Sequence, residues 1–379
     1  MNVVIAHNYY RSSIPSGENV VVDREVTLLQ EAGIDCSLFK KSNDALDKSS
    51  LFKKLAVAWR MAGSASHKHE LKNELEKFGP AGILHAHNVM PLFGYDLFEA
   101  AKELGYQTIQ TLHNYQLIAC SKGFYSKTGI KEPQNPLEVQ ALSRVNAQSR
   151  GVIDYFYQRA YQKVWRDNKI QSIDKFICLT EFQKKLMIQS GLPENKLFVK
   201  PNFLPDNGLF KETAPAGGYA IFVGRLAEEK GVLALTEAWK KLSIPLYVVG
   251  SGPLGAQLPK ATHIHYLGQQ SQADLLSLIS RSRFLVMNST WYEPFGLVAI
   301  EALSVGVPCL LPKLAALPEF VQEGRTGYCF EAANMTDLAE KAGQLWGQAV
   351  NMRADCRADY LARFTPQINL QRLLQIYQA

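Results

Sequence analysis

Residues 284–301 read FLVMNSTWYEPFGLVAIE, from Phe284 to Glu301. The four apolar residues Phe284 to Met287 predict a buried strand, and a polar turn follows them. Glu293-Pro294-Phe295-Gly296 then leads into an apolar segment of helical spacing that ends on a second carboxylate, Glu301. Pro294 has no amide to donate and suits a first helical turn, while Gly296 lets a ligand approach the backbone closely. The amides of Phe295, Gly296 and Leu297 are then expected at a helix N-terminus, where unpaired donors and the helix dipole attract phosphate or sugar oxygens. Glu293 stands at that mouth, and Glu301, about two turns further on, shares nearly the same helical face. A carboxylate that accepts two hydrogen bonds reads a vicinal diol; the same spacing also suits two solvated acids on a surface helix.

The stretches upstream repeat the strand-then-loop pattern. Gly224-Arg225-Leu226 follows the apolar run Tyr219–Val223, with Lys230-Gly231 at the next helix start. A diphosphate carries charge that must be neutralised where water is excluded, and an Arg fork with a Lys point charge does this well. A solvated basic turn is the plain alternative, since most Lys and Arg are exposed. Gly250 and Gly252, in Gly-Ser-Gly-Pro after the strand Leu246–Val249, form a tight loop expected near a base or ribose. No acid stands about twenty residues on, so a nicotinamide-dinucleotide fingerprint is not supported. With Ile264–Leu267 and Pro308–Leu311 the alternation of strand and helix predicts a parallel sheet with crossover helices.

The first half reads as a similar sheet, with strands at 2–7, 83–87, 107–113, 176–180 and 197–200. A loop from Asn8 to Asn19 contains Gly17 and precedes a helix from Val20 to Ala32. A strand, a glycine-containing loop and a helix start bring backbone amides towards a phosphate, although one glycine also suits a plain turn. Histidines at strand ends, His87 and His113 among them, invite a metal reading. Strand C-termini are where ligands bind in a doubly wound sheet, so hydrogen bonding without metal is the reading taken, with a core or capping role open for His87. Residues 40–77 are basic and helical in pattern, with Leu51, Phe52, Leu55, Ala58, Trp59 and Met61 at near-helical spacing. Such a helix can lie on an anionic membrane or pack on the sheet. Residues 120–170 pass from a Gly- and Pro-containing stretch to aromatic residues that could shape an acceptor cleft. The Pro- and Gly-rich segment 201–218 reads as a linker.

At 379 residues the chain exceeds what one core serves, so two domains are expected. Six scattered cysteines without C-x-x-C spacing read as buried thiols of a reducing compartment. The chain opens directly on a strand, and no apolar run is long enough for a signal peptide or a membrane span. Residues 1–200 carry 26 Lys and Arg against 20 Asp and Glu, and the remainder 15 against 15. The whole basic excess therefore lies in the first half, which points to an anionic surface or acceptor there. No nucleic-acid recognition motif accompanies it.

Taken together and in this order, Gly224-Arg225-Leu226 to Lys230-Gly231, Gly250 to Pro253, and Glu293 to Glu301 resemble the retaining glycosyltransferases of family 4, over nearly the whole chain. The resemblance implies an α/β fold of GT-B type, two Rossmann-like doubly wound parallel-sheet domains facing across a cleft. Residues 1–203 would bind the acceptor, residues 204–364 the donor, and a C-terminal helix in 365–379 would pack back on the first domain. It implies transfer of a hexose-type sugar from a nucleotide-diphosphate sugar, UDP or GDP, to a glycan or lipid-linked acceptor in bacterial surface polysaccharide synthesis. No metal or other cofactor is expected, and no Asp-x-Asp motif is present to hold one. In this reading Arg225 and Lys230 clamp the diphosphate and Glu301 binds the ribose. Glu293, with the amides of Phe295, Gly296 and Leu297, holds the sugar, while His113 donates to it from the other wall. Gly17, Gly224, Gly250, Gly252 and Pro294 complete the donor site. Ala315-Ala316 stands where the family carries Gly-Gly, which puts a backbone contact there in question. A cytoplasmic location, at the inner face of the membrane, is expected. A nucleotide-sugar epimerase or hydrolase on the same fold is the alternative, recognisable by donor turnover without acceptor.

Overall fold

Val3 to Ala6 and Ala220 to Phe222 are buried along their whole length. Continuous apolar runs of this kind are what a parallel sheet covered on both faces requires. The structure, a computed structural model, describes residues 1–12, 16–46, 63–119, 152–211 and 217–379, with a few isolated residues between them. It divides into Met1–Lys200 with Leu370–Ala379 as one unit and Pro201–Asn369 as the other.

The first unit holds β1 (Asn2–Tyr9), β2 (Asp35–Ser42), β3 (Ile83–Ala86), β4 (Gln107–Leu112), β5 (Lys175–Cys178) and β6 (Leu197–Val199). They lie in the order β2-β1-β3-β4-β5-β6, each parallel to its neighbours, so the order reverses between β1 and β3. Helix α1 (Gly17–Glu31) joins β1 to β2. Its Val22, Val26 and Leu29 cover Val3, Ile5, Ile109 and Ile177 together with Leu373, Ile376 and Tyr377 of the helix Pro366–Gln378.

In the second unit β7 (Ala220–Val223), β8 (Leu246–Val249), β9 (Ile264–Gly268), β10 (Phe284–Val286), β11 (Cys309–Pro312) and β12 (Gly327–Phe330) form a sheet in the order β9-β8-β7-β10-β11-β12. All pairs are again parallel, and the reversal falls between β7 and β10. Both units are therefore Rossmann-like doubly wound domains.

Two strands differ from the sequence expectation. Residues 40–42, assigned to a helical stretch, end β2, and β12 was not anticipated. Both are edge strands, and Asp35-Cys-Ser-Leu-Phe-Lys-Lys-Ser lacks the continuous apolar run of a central strand. Pairing along eight residues of β1 outweighs the local helical spacing. Helix α2 begins only at Ala65 and runs to Leu75, capped by Ser64, whose hydroxyl accepts from the His67 amide. Leu51, Phe52, Leu55, Ala58 and Trp59, the proposed membrane face, lie outside the described residues, as do most residues of the segment 120–151. Among the described residues no helix is long and apolar enough to cross a membrane.

Candidate functional site

Ligands of doubly wound sheets bind beyond the strand C-termini where the strand order reverses. In the second unit that position lies between the loop after β7, which carries Gly224 to Lys230, and the loop after β10, which carries Asn288 to Glu293. The Lys230 ammonium pairs with the Glu293 carboxylate, and the Ser289 hydroxyl donates to the same carboxylate oxygen at 2.6 Å. Glu293 is buried, and Lys230 Nζ lies 5.7 Å from the Trp291 ring centroid. The two loops are held together by backbone. The Asn288 side-chain amide donates to Gly231 O at 2.9 Å, and the Thr290 amide donates to Glu229 O at 2.9 Å. Gly231 takes φ +61°, and a Cβ there would fall 2.1 Å from Asn288 O. Glycine after Lys230 is thus what allows the lysine loop to close on the glutamate loop.

The other glycines separate into two kinds. A Cβ at Gly250 would meet Gly224 O at 1.9 Å, and one at Gly252 would meet Leu226 O at 2.4 Å. Protein backbone therefore fills the space beside them, and the Leu226 amide donates to Ser251 O at 2.9 Å. A Cβ at Gly224 would meet nothing nearer than Phe222 Cζ at 3.5 Å. Of the three, Gly224 alone has room for a side chain that the protein does not fill.

The expected helix start is corrected. Helix α3 spans Leu297–Ser304 with Gly296 as its N-cap, so Pro294 and Phe295 precede it. Phe295 packs edge-on against Phe320 at 4.9 Å, and seating that ring takes residues 293–296 out of helical backbone. Glu293 accordingly meets Lys230 from a loop and does not share a helical face with Glu301. The amides of Ala299 and Ile300 donate to Gly296 O, leaving Leu297 and Val298 as the amides of the first turn, and not Phe295. Arg225 is exposed and pairs with Glu229, while Glu301 accepts from Gln272 Nε2 at 2.8 Å. The four charged residues thus fall into a joined pair, Lys230 with Glu293, and two residues held by other partners. Ala315, in the Ala315-Ala316 pair, adopts φ +52°, a left-handed conformation that normally favours glycine.

The reversal point of the first unit carries histidines. His85 and His87 lie two residues apart in sequence and so share one side of the β3 line, facing Glu25 of α1. Glu25 Oε1 is 3.2 Å from His85 Nδ1 and 3.2 Å from His87 Nε2, and Lys200 Nζ donates to Glu25 Oε2 at 2.6 Å. All four side chains are buried. Burial alone would raise Glu25, yet the surrounding Lys200, His85 and His87 hold its carboxyl well below the usual range. His85 also meets the Tyr377 hydroxyl at 2.8 Å and the Thr111 hydroxyl at 2.7 Å. His87 Nδ1 lies 2.7 Å from His113 Nε2. Burial, with His87 and His7 nearby, keeps His113 well below the ordinary histidine value. The donor set of Glu25, His85 and His87 is compact enough for a cation. Lys200, however, already supplies positive charge to the same carboxylate, so a divalent ion would be poorly matched there.

His87 and His113 line a narrow recess of about 20 Å³, room for about one water, together with Glu18, Asn88, Thr111 and Asn114. Glu18 Oε1 has no hydrogen-bond partner, and burial pushes its carboxyl up to about 7. Gly17, expected in the loop, forms part of the first turn of α1 instead. Sequence reasoning named His113 and His87 but missed Glu18, Glu25, His85 and Lys200. Only the His-x-His spacing of 85 and 87 could have signalled a shared face.

Residues 210–359 match the family model described as glycosyl transferases group 1. An uncharacterized glycosyltransferase of Methanocaldococcus jannaschii is 29% identical over 181 residues, 45% of this chain and 49% of its own length. The chain spans about half the length, or less, of the first curated relatives it matches. D-inositol 3-phosphate glycosyltransferase of Mycobacterium sp. (strain KMS) is 23% identical over 378 residues, 92% of this chain and 82% of the relative. Among solved structures, Anabaena Alr3699/HepE in complex with UDP aligns with a TM-score of 0.68 at 16% identity, covering 100% of both chains. These matches place residues 210–359 with group 1 glycosyl transferases and give the two Rossmann-like units the GT-B fold.

Proposed function

We propose that the protein is a retaining glycosyltransferase of family 4 type that moves a hexose-type sugar from a nucleotide-diphosphate sugar, UDP or GDP, to a glycan or lipid-linked acceptor. The observation that carries this reading is the Lys230–Glu293 pair at the strand-order reversal of the second unit, beside Gly224, where a Cβ would meet no backbone within 4 Å. The ammonium is ready to exchange its carboxylate for a leaving diphosphate, whose growing charge is the main electrostatic demand of the step. Freed of Lys230, Glu293 accepts from sugar hydroxyls, with the amides of Leu297 and Val298 beyond it. Arg225, exposed and tied only to the neighbouring Glu229, is placed to add a second cation to the diphosphate. Glu301 retains the ribose role, and His113 that of the sugar or acceptor contact. In this scheme the two cations carry the charge of the leaving group without a metal. The UDP bound by Anabaena HepE supports a uridine donor. The basic excess of residues 1–200 supports a lipid-linked or surface-glycan acceptor at an anionic membrane face.

The test is a thermal-shift panel of UDP, GDP, TDP and ADP, followed by transfer from the matching nucleotide sugar. One diphosphate is expected to raise the melting temperature. Release of that diphosphate is expected to require an acceptor; release at full rate without one would replace this reading by the hydrolase or epimerase.

A further inference from the structure

We propose that Glu25 and His87 are positioning residues that hold His113 as its Nε2–H tautomer, so that His113 Nδ1 meets a ligand hydroxyl as an acceptor. The resemblance to family 4 had implied a donor at this position. The inference rests on the reading that the recess beside His113 takes a hydroxylated ligand.

The argument follows the protons from the carboxylate outward. Glu25 Oε1 lies 3.2 Å from His87 Nε2 and 3.2 Å from His85 Nδ1, in the buried interior, and among the described residues neither Glu25 Oε1 nor His87 Nε2 has a hydrogen-bond partner. The contact is off-line for a hydrogen bond. Even so, a bare nitrogen lone pair at that distance from a carboxylate oxygen is repelled, so Nε2 must carry its proton. His87 then turns the lone pair of Nδ1 to His113, 2.7 Å away, and His113 Nε2 must supply the hydrogen. A neutral imidazole has one N–H, so the remaining nitrogen of His113, Nδ1, is an acceptor. Burial keeps His113 in that neutral form.

The opposite order would need both nitrogens of His87 protonated. That would place an extra positive charge beside Lys200 and Glu25, which already balance each other in the interior. The neighbouring rings agree with the assignment. The Asn88 amide donates to His7 Nδ1 at 3.2 Å, so His7 carries its proton on Nε2 and gives it to Asn19 Oδ1 at 3.0 Å. His85, with Nδ1 towards Glu25 and Tyr377, accepts from the Thr111 hydroxyl at Nε2. Among the described residues no hydrogen bond sets the alternative on His113.

Histidine-selective ¹⁵N spectra of the full chain separate protonated from bare ring nitrogens and need no substrate. The expected result is a protonated Nε2 and a bare Nδ1 for both His87 and His113. His87→Phe keeps an aromatic ring beside His113 and removes the acceptor, and His113 is then expected to shift towards a tautomer mixture. A wild-type His113 protonated on Nδ1 overturns the proposal. So does an unchanged single tautomer in His87→Phe. Should that variant fail to fold, the wild-type spectrum alone decides. Loss of the transferase reading would leave these spectra unaltered, so the two failures are distinguishable.

Discussion

The two units share a sheet plan and differ in where they keep their ionisable groups. In the second unit β10 and β11 are apolar and buried, and the charges stand in the loops beyond them, as Lys230 and Glu293 do. In the first, His7, His85, Gln110 and Thr111 lie within the strands, and Glu25 and Lys200 close on them from α1 and the end of β6. The Lys230 ammonium stays part-exposed and can change partners at smaller cost, because water still reaches it, although the Glu293 carboxylate beside it is buried. An interior charge cannot, because each group left unmatched keeps its full desolvation penalty. Under the proposed function, the second unit would exchange the Lys230 ammonium between Glu293 and a charged ligand, and the first would hold fixed hydrogen-bonding atoms.

The contrast breaks most decisively if Lys230 is dispensable. Lys230→Ala is expected to lower the transfer rate by about 10³-fold, since a lost electrostatic contact to a developing anion has that size, with a moderate fall in melting temperature because the buried Glu293 carboxylate loses its ammonium. Near-normal turnover would remove the loop site from the chemistry.

The interior pair should respond in the opposite way. Glu25→Leu leaves Lys200 buried without its carboxylate and is expected to cost about 3–5 kcal/mol in a denaturant titration, whereas Glu25→Leu with Lys200→Met recovers most of it. Equal losses in the single and double variants would show that the pair is not what the interior depends on.

Acid sharpens the same difference. His7, held down to about 3 by burial, and His85 and His113, also well below 6.5, stay neutral when folded and take up protons on unfolding. Below about pH 6.5 the unfolded chain binds more protons, so stability falls with pH, for His7 by about 2 kcal/mol at pH 5. Glu25 adds a loss only below its ordinary value of 4.5, as pH falls towards its depressed one. Glu18 runs the other way: its value of about 7 stabilises fully below 4.5, and that share is lost as pH rises through 7. Hydrogen exchange at pH 7 and 5, corrected for intrinsic rates, should show β1 and β3 opening more readily in acid than β7 and β10. Glu18→Gln should raise the melting temperature near pH 8 and leave it nearly unchanged near pH 4.

The smallest effect on stability is expected at Gly224. Gly224→Ala meets the Phe222 ring and Lys230 Cδ at ordinary contact distance and should change stability by less than about 0.5 kcal/mol while weakening nucleotide-diphosphate binding. Gly250→Ala, at φ +136° and against Gly224 O, should melt early instead. A Gly224→Ala protein with undiminished affinity would mean that the space beside it is not the ligand's.

The legibility of the two units follows the same division. Gly224 to Gly231 and Glu293 to Glu301 are short stretches beside their own strands, so their order along the chain exposed the sheet, and the structure joins Lys230 to Glu293 from those two stretches. Even there the helix start was misplaced, because the burial of Phe295 against Phe320 is a tertiary fact that Pro294 and Gly296 do not encode. Glu25 and Lys200 lie 175 residues apart, and nothing local in either sequence marks the other. The edge strand β2 escaped for a related reason, since a half-exposed strand needs no unbroken apolar run, while β12 is buried but only four residues long and opens on Gly327.

Tyr377 reaches His85, and Lys175 Nζ donates to the carbonyl of Ile376 at 2.6 Å, so residues near the end of the chain seal a core begun by β1. On the ribosome those residues appear only after the roughly 170 residues of the second unit, a delay on the order of 10–30 s at ordinary elongation rates. Until then Val3, Ile5, Ile109 and Ile177 would rest against α1 without the share of their cover that Leu373, Ile376 and Tyr377 supply.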